Sequence, residues 1–153
     1  MDAGHLPLNR LALQATTHCL TGCAIGEVAG MVIASALAWG AFAAIVLSVI
    51  LAFFFGYALT MRPLLASGLG LGRATRLALS SDTVSITVME ITDNAILLII
   101  PSAMAANLNE PLFWGGLALS LAVAGVVAFP VNRWLIGRGQ GHAVVHGAHG
   151  HSG

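Results

Sequence analysis

Long apolar runs, separated by short polar or glycine-rich connections, dominate the pattern along this chain. Four such runs cover residues 13–37, 41–62, 75–104 and 111–136. Each holds roughly the 20 mostly apolar residues that a helix needs to cross a bilayer. The connections carry the glycine, proline and asparagine residues typical of turns. The pattern predicts an all-α, polytopic membrane protein whose four transmembrane helices form two antiparallel hairpins.

Composition supports the membrane class. The 153 residues are 58% hydrophobic and 8% charged, with a formal net charge of zero, which is far too apolar for an ordinary soluble domain. No lysine is present, so the chain lacks the concentrated basic surface that nucleic-acid binding requires. We therefore expect the lipid bilayer as a partner and exclude nucleic acid.

The arginines predict the orientation of the helices. All of them lie on one side of the four-helix arrangement, so the positive-inside rule places both termini in the cytoplasm. The first run has no small-residue cleavage site after it, so we interpret it as a retained helix and not as a signal peptide. We expect a transmembrane domain over residues 1–138 and a flexible tail over residues 139–153. The arginines are Arg10, Arg62, Arg73, Arg76, Arg133 and Arg138.

Four carboxylates lie inside the apolar runs, namely Glu27, Asp82, Glu90 and Asp93. An ionised carboxylate in a bilayer costs several kcal/mol unless it is protonated, paired or bound to a cation. We therefore expect all four to face the interior of the bundle, with the first and third helices in contact. A cation or proton site is one interpretation, and a network of protonated acids that only holds the helices together is the other.

Glycine recurs at every fourth residue of the first helix, at Gly22, Gly26 and Gly30. This small-xxx-small spacing lets two helix backbones approach closely. The partner could be the third helix or another subunit, so the row predicts either packing within the chain or a homo-oligomer.

His18, Cys19 and Cys23 lie beside the glycine row, toward the N-terminal half of the first helix. Thiolate and imidazole are ligands for soft or borderline metals such as Cu(I) and Zn(II), whereas carboxylates suit harder ions and protons. Two cysteines four apart on one helix have nearly parallel side chains, so we interpret them as thiols and not as a disulfide. Small cysteines that merely fill the core are the alternative.

Counting about 1.5 Å per residue along each helix predicts two tiers of polar groups. The tier nearer the cytoplasm would hold His18, Cys19, Cys23 and Asp82. The deeper tier would hold Glu27, Glu90, Asp93 and Asn94, with Met31 and Met89 within reach. Such a stepped arrangement favours a cation pathway.

The tail carries four histidines on a glycine-rich segment, His142, His146, His149 and His151. Their spacing permits chelation of Zn, Cu or Ni once the backbone folds around the ion, and we take His142 and His146 as candidate ligands. A merely solvated, disordered tail is the alternative.

Residues 18–31 (HCLTGCAIGEVAGM), Met89-Glu90 and the closing residues 132–142 (NRWLIGRGQGH) resemble a bacterial four-helix integral membrane family catalogued as a domain of unknown function. The resemblance covers nearly the whole chain. It implies the fold, the bacterial cytoplasmic membrane as location, and an association of some relatives with copper-handling proteins. It implies no activity and no catalytic residues.

Three functions remain open from the residues. The leading hypothesis is a small membrane protein that binds and moves a transition-metal cation, copper first and zinc second, with no organic cofactor. A membrane oxidoreductase that uses the cysteines or a bound metal is less favoured, because the sequence has no CxxC pair and no cofactor fingerprint. The third is an accessory or assembly subunit whose buried polar groups only pack helices.

Overall fold

A computed structural model describes residues 7–100 and 108–137 of the protein, apart from the side chain of Ser81. Within these ranges all regular secondary structure is helical and no strand occurs. The described helices are α1 (Leu8–Ala36), α2 (Ala41–Ala66), α3 (Leu71–Ile99) and α4 (Pro111–Gly137). The all-α prediction is confirmed.

Three of the described helices, α1, α2 and α4, are long and apolar enough to cross a membrane. This supports the prediction of a membrane protein. Helix α3 has the length of a span, 29 residues, but its arginines and carboxylates make it more polar than the other three. The polar residues of α3 therefore need a location inside the protein.

The helix ends differ from the expected ones at the second connection. The sequence pattern predicts a glycine-rich connection over residues 63–72. Helix α2 continues through Pro63 to Ala66, and α3 begins at Leu71, so this prediction was wrong for six of the ten residues. A proline costs a helix one hydrogen bond, but here Leu64 is fully buried against Ala74 of α3. That packing favours the helical continuation.

The glycine row of α1 packs against α2. A Cβ atom on Gly22 would lie 2.8 Å from the Cα atom of Gly56, and one on Gly26 or Gly30 would overlap the backbone of Ala52 or Ser48. The α1 positions rise by four while the α2 positions fall by four, so the two helices are antiparallel. Within the chain, the glycine row therefore packs closely against helix two and not against helix three.

Helix α1 also contacts α3 and α4. The Asn132 amide donates a hydrogen bond to the Thr16 hydroxyl over 3.0 Å, and Arg133 donates one to the Asn9 side chain over 2.7 Å. These contacts join the start of α1 to the end of α4, and the predicted contact between α1 and α3 is confirmed. All four described helices contribute to one core cluster, formed by Cys19, Cys23, Ala52, Ile86, Met89, Ala124 and Ala128.

Large apolar side chains form much of the outer surface, as expected of a protein in lipid. Phe42 and Phe54 of α2 and Val126 of α4 are 82%, 61% and 74% exposed. Soluble monomers rarely expose large contiguous apolar patches. The outer surface of α2 and α4 is therefore suited to contact with acyl chains.

Candidate functional site

The acids and thiols singled out in the membrane segments turn inward. The carboxylates of Glu27, Asp82, Glu90 and Asp93 are at most 5% exposed, and both cysteines are 1% exposed. We expect His18 to turn inward together with these six side chains, and the inward direction is confirmed for the six. His18 is half-buried.

Helices α1 and α3 meet in parallel along these residues. Cys23 of α1 interacts with Met89 and Glu90 of α3, and Glu27 interacts with Asp93. A step of four residues along α1 is thus matched by a step of about four along α3. Thiols and carboxylates of the two helices follow one another in a continuous row and not in two separate tiers.

Sulfur atoms gather at the middle of this row. The Cys23 thiol lies 4.0 Å from the Met89 thioether sulfur, and it also interacts with Cys19 one helical turn earlier. Both cysteines are reduced thiols. Three sulfur side chains therefore belong to one buried, apolar cluster, which is the donor type that soft cations prefer.

A carboxyl group stands beside the thiol of Cys23. Glu90 interacts with that thiol and is held by Asn94, whose amide donates to the Glu90 carbonyl oxygen over 2.8 Å and to its Oε2 atom over 3.5 Å. Metal binding requires a thiolate and releases a proton. Glu90 is placed to accept such a proton from Cys23.

Glu27 and Asp93 face each other one turn farther along. The Ser48 hydroxyl donates to the Glu27 carbonyl oxygen over 3.3 Å, which fixes the backbone of α1 at this depth. Among the described residues, no donor reaches Glu27 Oε2 or either carboxyl oxygen of Asp93, and a hydrogen bond between these two side chains requires a proton on one of them. Buried polar atoms without partners are costly, so this pair requires a proton or a cation.

Two expected members of the site, His18 and Asp82, differ in position from the cluster around Cys23 and Met89. His18 Nε2 is 2.9 Å from the hydroxyl of Thr60 on α2. The imidazole also lines a groove of about 480 Å³ together with Leu13, Gln14, Thr17, Thr21 and Leu59. Asp82 is fully buried on α3, seven residues before Met89, or about 10 Å along the helix axis. His142 and His146 lie outside the described residues.

In the described part of the chain, no three side chains of the His, Cys, Asp and Glu types are arranged to hold a metal ion. The sulfur of Met89, which is not one of these four residue types, lies in the same buried cluster as the two cysteines. The sequence placed Met89 only within reach, because periodicity shows which residues share a face but not which sulfur atoms meet across two helices. The contact partners Thr60 and Ser48 had no sequence signal beyond being small polar residues in an apolar helix.

Comparison with known proteins gives one match. A family model described as "Domain of unknown function (DUF4396)" covers residues 9–141. No curated protein and no solved structure matches.

Proposed function

The chain belongs to the DUF4396 family, a domain of unknown function that covers residues 9–141, and within it we propose a membrane protein that binds and moves a thiophilic cation. Cu(I) is the first candidate and Zn(II) the second. The ion would bind between α1 and α3 and would pass along the row of carboxylates. No organic cofactor takes part in this proposal.

The observation that carries the proposal is the approach of two sulfur atoms from different helices, Cys23 Sγ and Met89 Sδ, to 4.0 Å. A metal–sulfur bond of about 2.3 Å allows two sulfurs that share one ion to lie up to roughly 4.6 Å apart. The observed separation suits a shared ion with a bent sulfur–metal–sulfur angle. Cys19, one turn away, supplies a third sulfur.

The mixture of donors favours copper over zinc. Thiolate together with thioether selects Cu(I), whereas structural zinc sites use cysteine, histidine and carboxylate ligands. Glu90 beside Cys23 would take up the thiol proton. A thiolate and a monovalent ion together are neutral, which lowers the cost of holding the ion in an apolar core.

Passage requires that α3 crosses the membrane with the other helices, in the four-span arrangement of two hairpins. Its buried acids support this proposal, since α3 turns Asp82, Glu90 and Asp93 inward. We place the protein in the bacterial inner membrane with both termini in the cytoplasm, on the strength of the arginine distribution.

A second candidate is an assembly subunit in which the buried polar groups only join helices. It is favoured by the lack, within the described residues, of three metal-holding His, Cys, Asp and Glu side chains. Hydrogen bonds such as Asn132 to Thr16 show that polar side chains do join helices in this protein. Metal content separates the two candidates.

The test uses the full chain in detergent with the four tail histidines replaced by alanine, so that the tail contributes no ligands. We expect about one tightly bound Cu(I) per chain. Cys19→Ser combined with Cys23→Ser should abolish this binding. Met89→Leu removes the sulfur atom while it keeps a similar side-chain volume, so it should weaken copper binding by about tenfold or more. Bound copper would be measured by competition with a chromogenic Cu(I) chelator.

Met61→Leu is the matched control, because Met61 lies in a different cluster with Leu64 and Ala74. It removes a sulfur from the same kind of environment and should leave copper binding unchanged. If the parent protein without tail histidines binds no copper or zinc, the membrane site is not a metal site and the assembly candidate is the better one.

A further inference from the structure

Beyond the soft-metal site, we propose that Glu27 of α1 and Asp93 of α3 form a second site that binds Na⁺. The two carboxylates are 3% and 1% exposed and interact with each other. This site uses only oxygen donors, and it is defined without reference to the sulfur atoms of the neighbouring cluster. It would give a membrane cation carrier a second, coupling ion.

The argument starts from the oxygen atoms that lack partners. Glu27 Oε2, Asp93 Oδ1 and Asp93 Oδ2 are all buried, and as ionised carboxylate oxygens they accept no hydrogen bond from any described residue. Ionised carboxylate oxygens are acceptors only, so two facing carboxylates offer each other nothing to share. The groups that interact with Glu27 are Asp93 and Glu90, which are also acids. Positive charge has to come from outside the chain.

A proton and a cation would satisfy these atoms differently. One proton shared between Glu27 and Asp93 joins two oxygens and leaves the third without a partner. A cation bound by both oxygens of Asp93 and by Glu27 satisfies all three at once. Since each buried unsatisfied polar atom is destabilising, the arrangement favours a cation over a shared proton.

The number and type of the donors point to Na⁺. Carboxylate oxygens are hard ligands, which suit alkali and alkaline-earth ions better than soft metals. Ca²⁺ takes six to eight oxygen ligands and Mg²⁺ requires nearly ideal octahedral geometry with several waters. Three protein oxygens in an apolar interface match neither the ligand number of Ca²⁺ nor the octahedral coordination of Mg²⁺. A monovalent ion, which carries less hydration to be lost, fits this smaller set.

The test measures ²²Na⁺ binding to the purified full chain in a sodium-free choline buffer, without copper. We expect saturable binding of about one Na⁺ per chain, weakened by about tenfold or more in Asp93→Asn and in Glu27→Gln. Glu110→Gln, which removes a carboxylate from the α3–α4 connection, should bind Na⁺ as the wild type does. Absence of saturable binding to the wild type would overturn the proposal.

A second measurement needs no variant. Dicyclohexylcarbodiimide labels carboxyl groups in apolar surroundings, and mass spectrometry locates the labelled residues. We expect Na⁺ to protect Glu27 and Asp93 of the wild type from labelling, and choline to give no protection. Labelling that is suppressed by alkaline buffer alone and unaffected by Na⁺ would mean that a proton occupies the pair, and the Na⁺ site would be refuted. Copper binding is measured separately, so failure here leaves the sulfur site untouched.

Discussion

Gly26→Ala is expected to lower the stability of the bundle, although it adds a single methyl group. A Cβ atom at Gly26 would overlap the backbone nitrogen and Cα of Ala52, and backbone atoms have no alternative rotamer. The two helices would have to separate along the whole Gly22–Gly30 row. Overpacking of this kind costs about 1–3 kcal/mol and occasionally more, against a helix-propensity gain of about 1 kcal/mol.

Gly115→Ala is the matched control, because no atom lies within 4 Å of a Cβ built on Gly115 of α4. The same substitution there should be neutral or should raise stability by about 1 kcal/mol through helix propensity. Folded yield and denaturant unfolding followed by circular dichroism in one detergent compare the two variants. Equal stability of the two variants would show that α1 and α2 are not in close contact at Gly26.

Glu27→Gln is expected to abolish cation flux while leaving copper capture in place. The variant keeps the shape of the side chain but removes a buried carboxyl group that can ionise to balance a cation, one turn beyond Cys23. Without a counter-charge at this depth, the free-energy barrier to passage of the ion is higher by several kcal/mol. Every 1.4 kcal/mol added to a barrier lowers the rate about tenfold. Cu(I) uptake into liposomes that contain a trapped chelator measures the flux, with bound copper determined on the same preparation.

Glu110→Gln again serves as the control, since it removes a carboxylate that is exposed in a connection and should transport at the wild-type rate. Full flux through Glu27→Gln would show that the ion does not pass this carboxylate. Simultaneous loss of bound copper would place Glu27 in the capture site itself, which the contacts of Cys23 with Met89 and Glu90 do not suggest.

The sequence predicts the helices and the inward direction of the polar side chains, because both follow from strong physical preferences. Long apolar runs need lipid or a core, and carboxylates such as Glu27 and Asp93 avoid lipid. The same reasoning explains why six of the predicted acids and thiols are buried. Pro63 shows where local rules fail: tertiary packing of Leu64 against Ala74 carries the helix past a residue that usually ends it.

The contacts between helices were less accessible to sequence reasoning. The spacing of Gly22, Gly26 and Gly30 indicates a close approach but carries no information about the partner, and α2 occupies that face. Cys23 and Met89 are 66 residues apart in sequence. Their contact depends on the relative register of α1 and α3. His18 is grouped with the cysteines by its position along the helix, and its hydrogen-bond distance to Thr60 of α2 is a contact that this spacing does not indicate.

X-ray absorption at the copper K edge tests the central proposal most directly. The sample is the Cu(I)-treated full chain with the four tail histidines replaced by alanine. The proposed site predicts sulfur as the main scatterer in the first shell, at about 2.3 Å. The sulfur contribution should be smaller in Met89→Leu, and the Cys19→Ser, Cys23→Ser double variant should retain no copper to measure. A first shell of nitrogen and oxygen alone, or a spectrum unchanged by these substitutions, would contradict a copper site between α1 and α3.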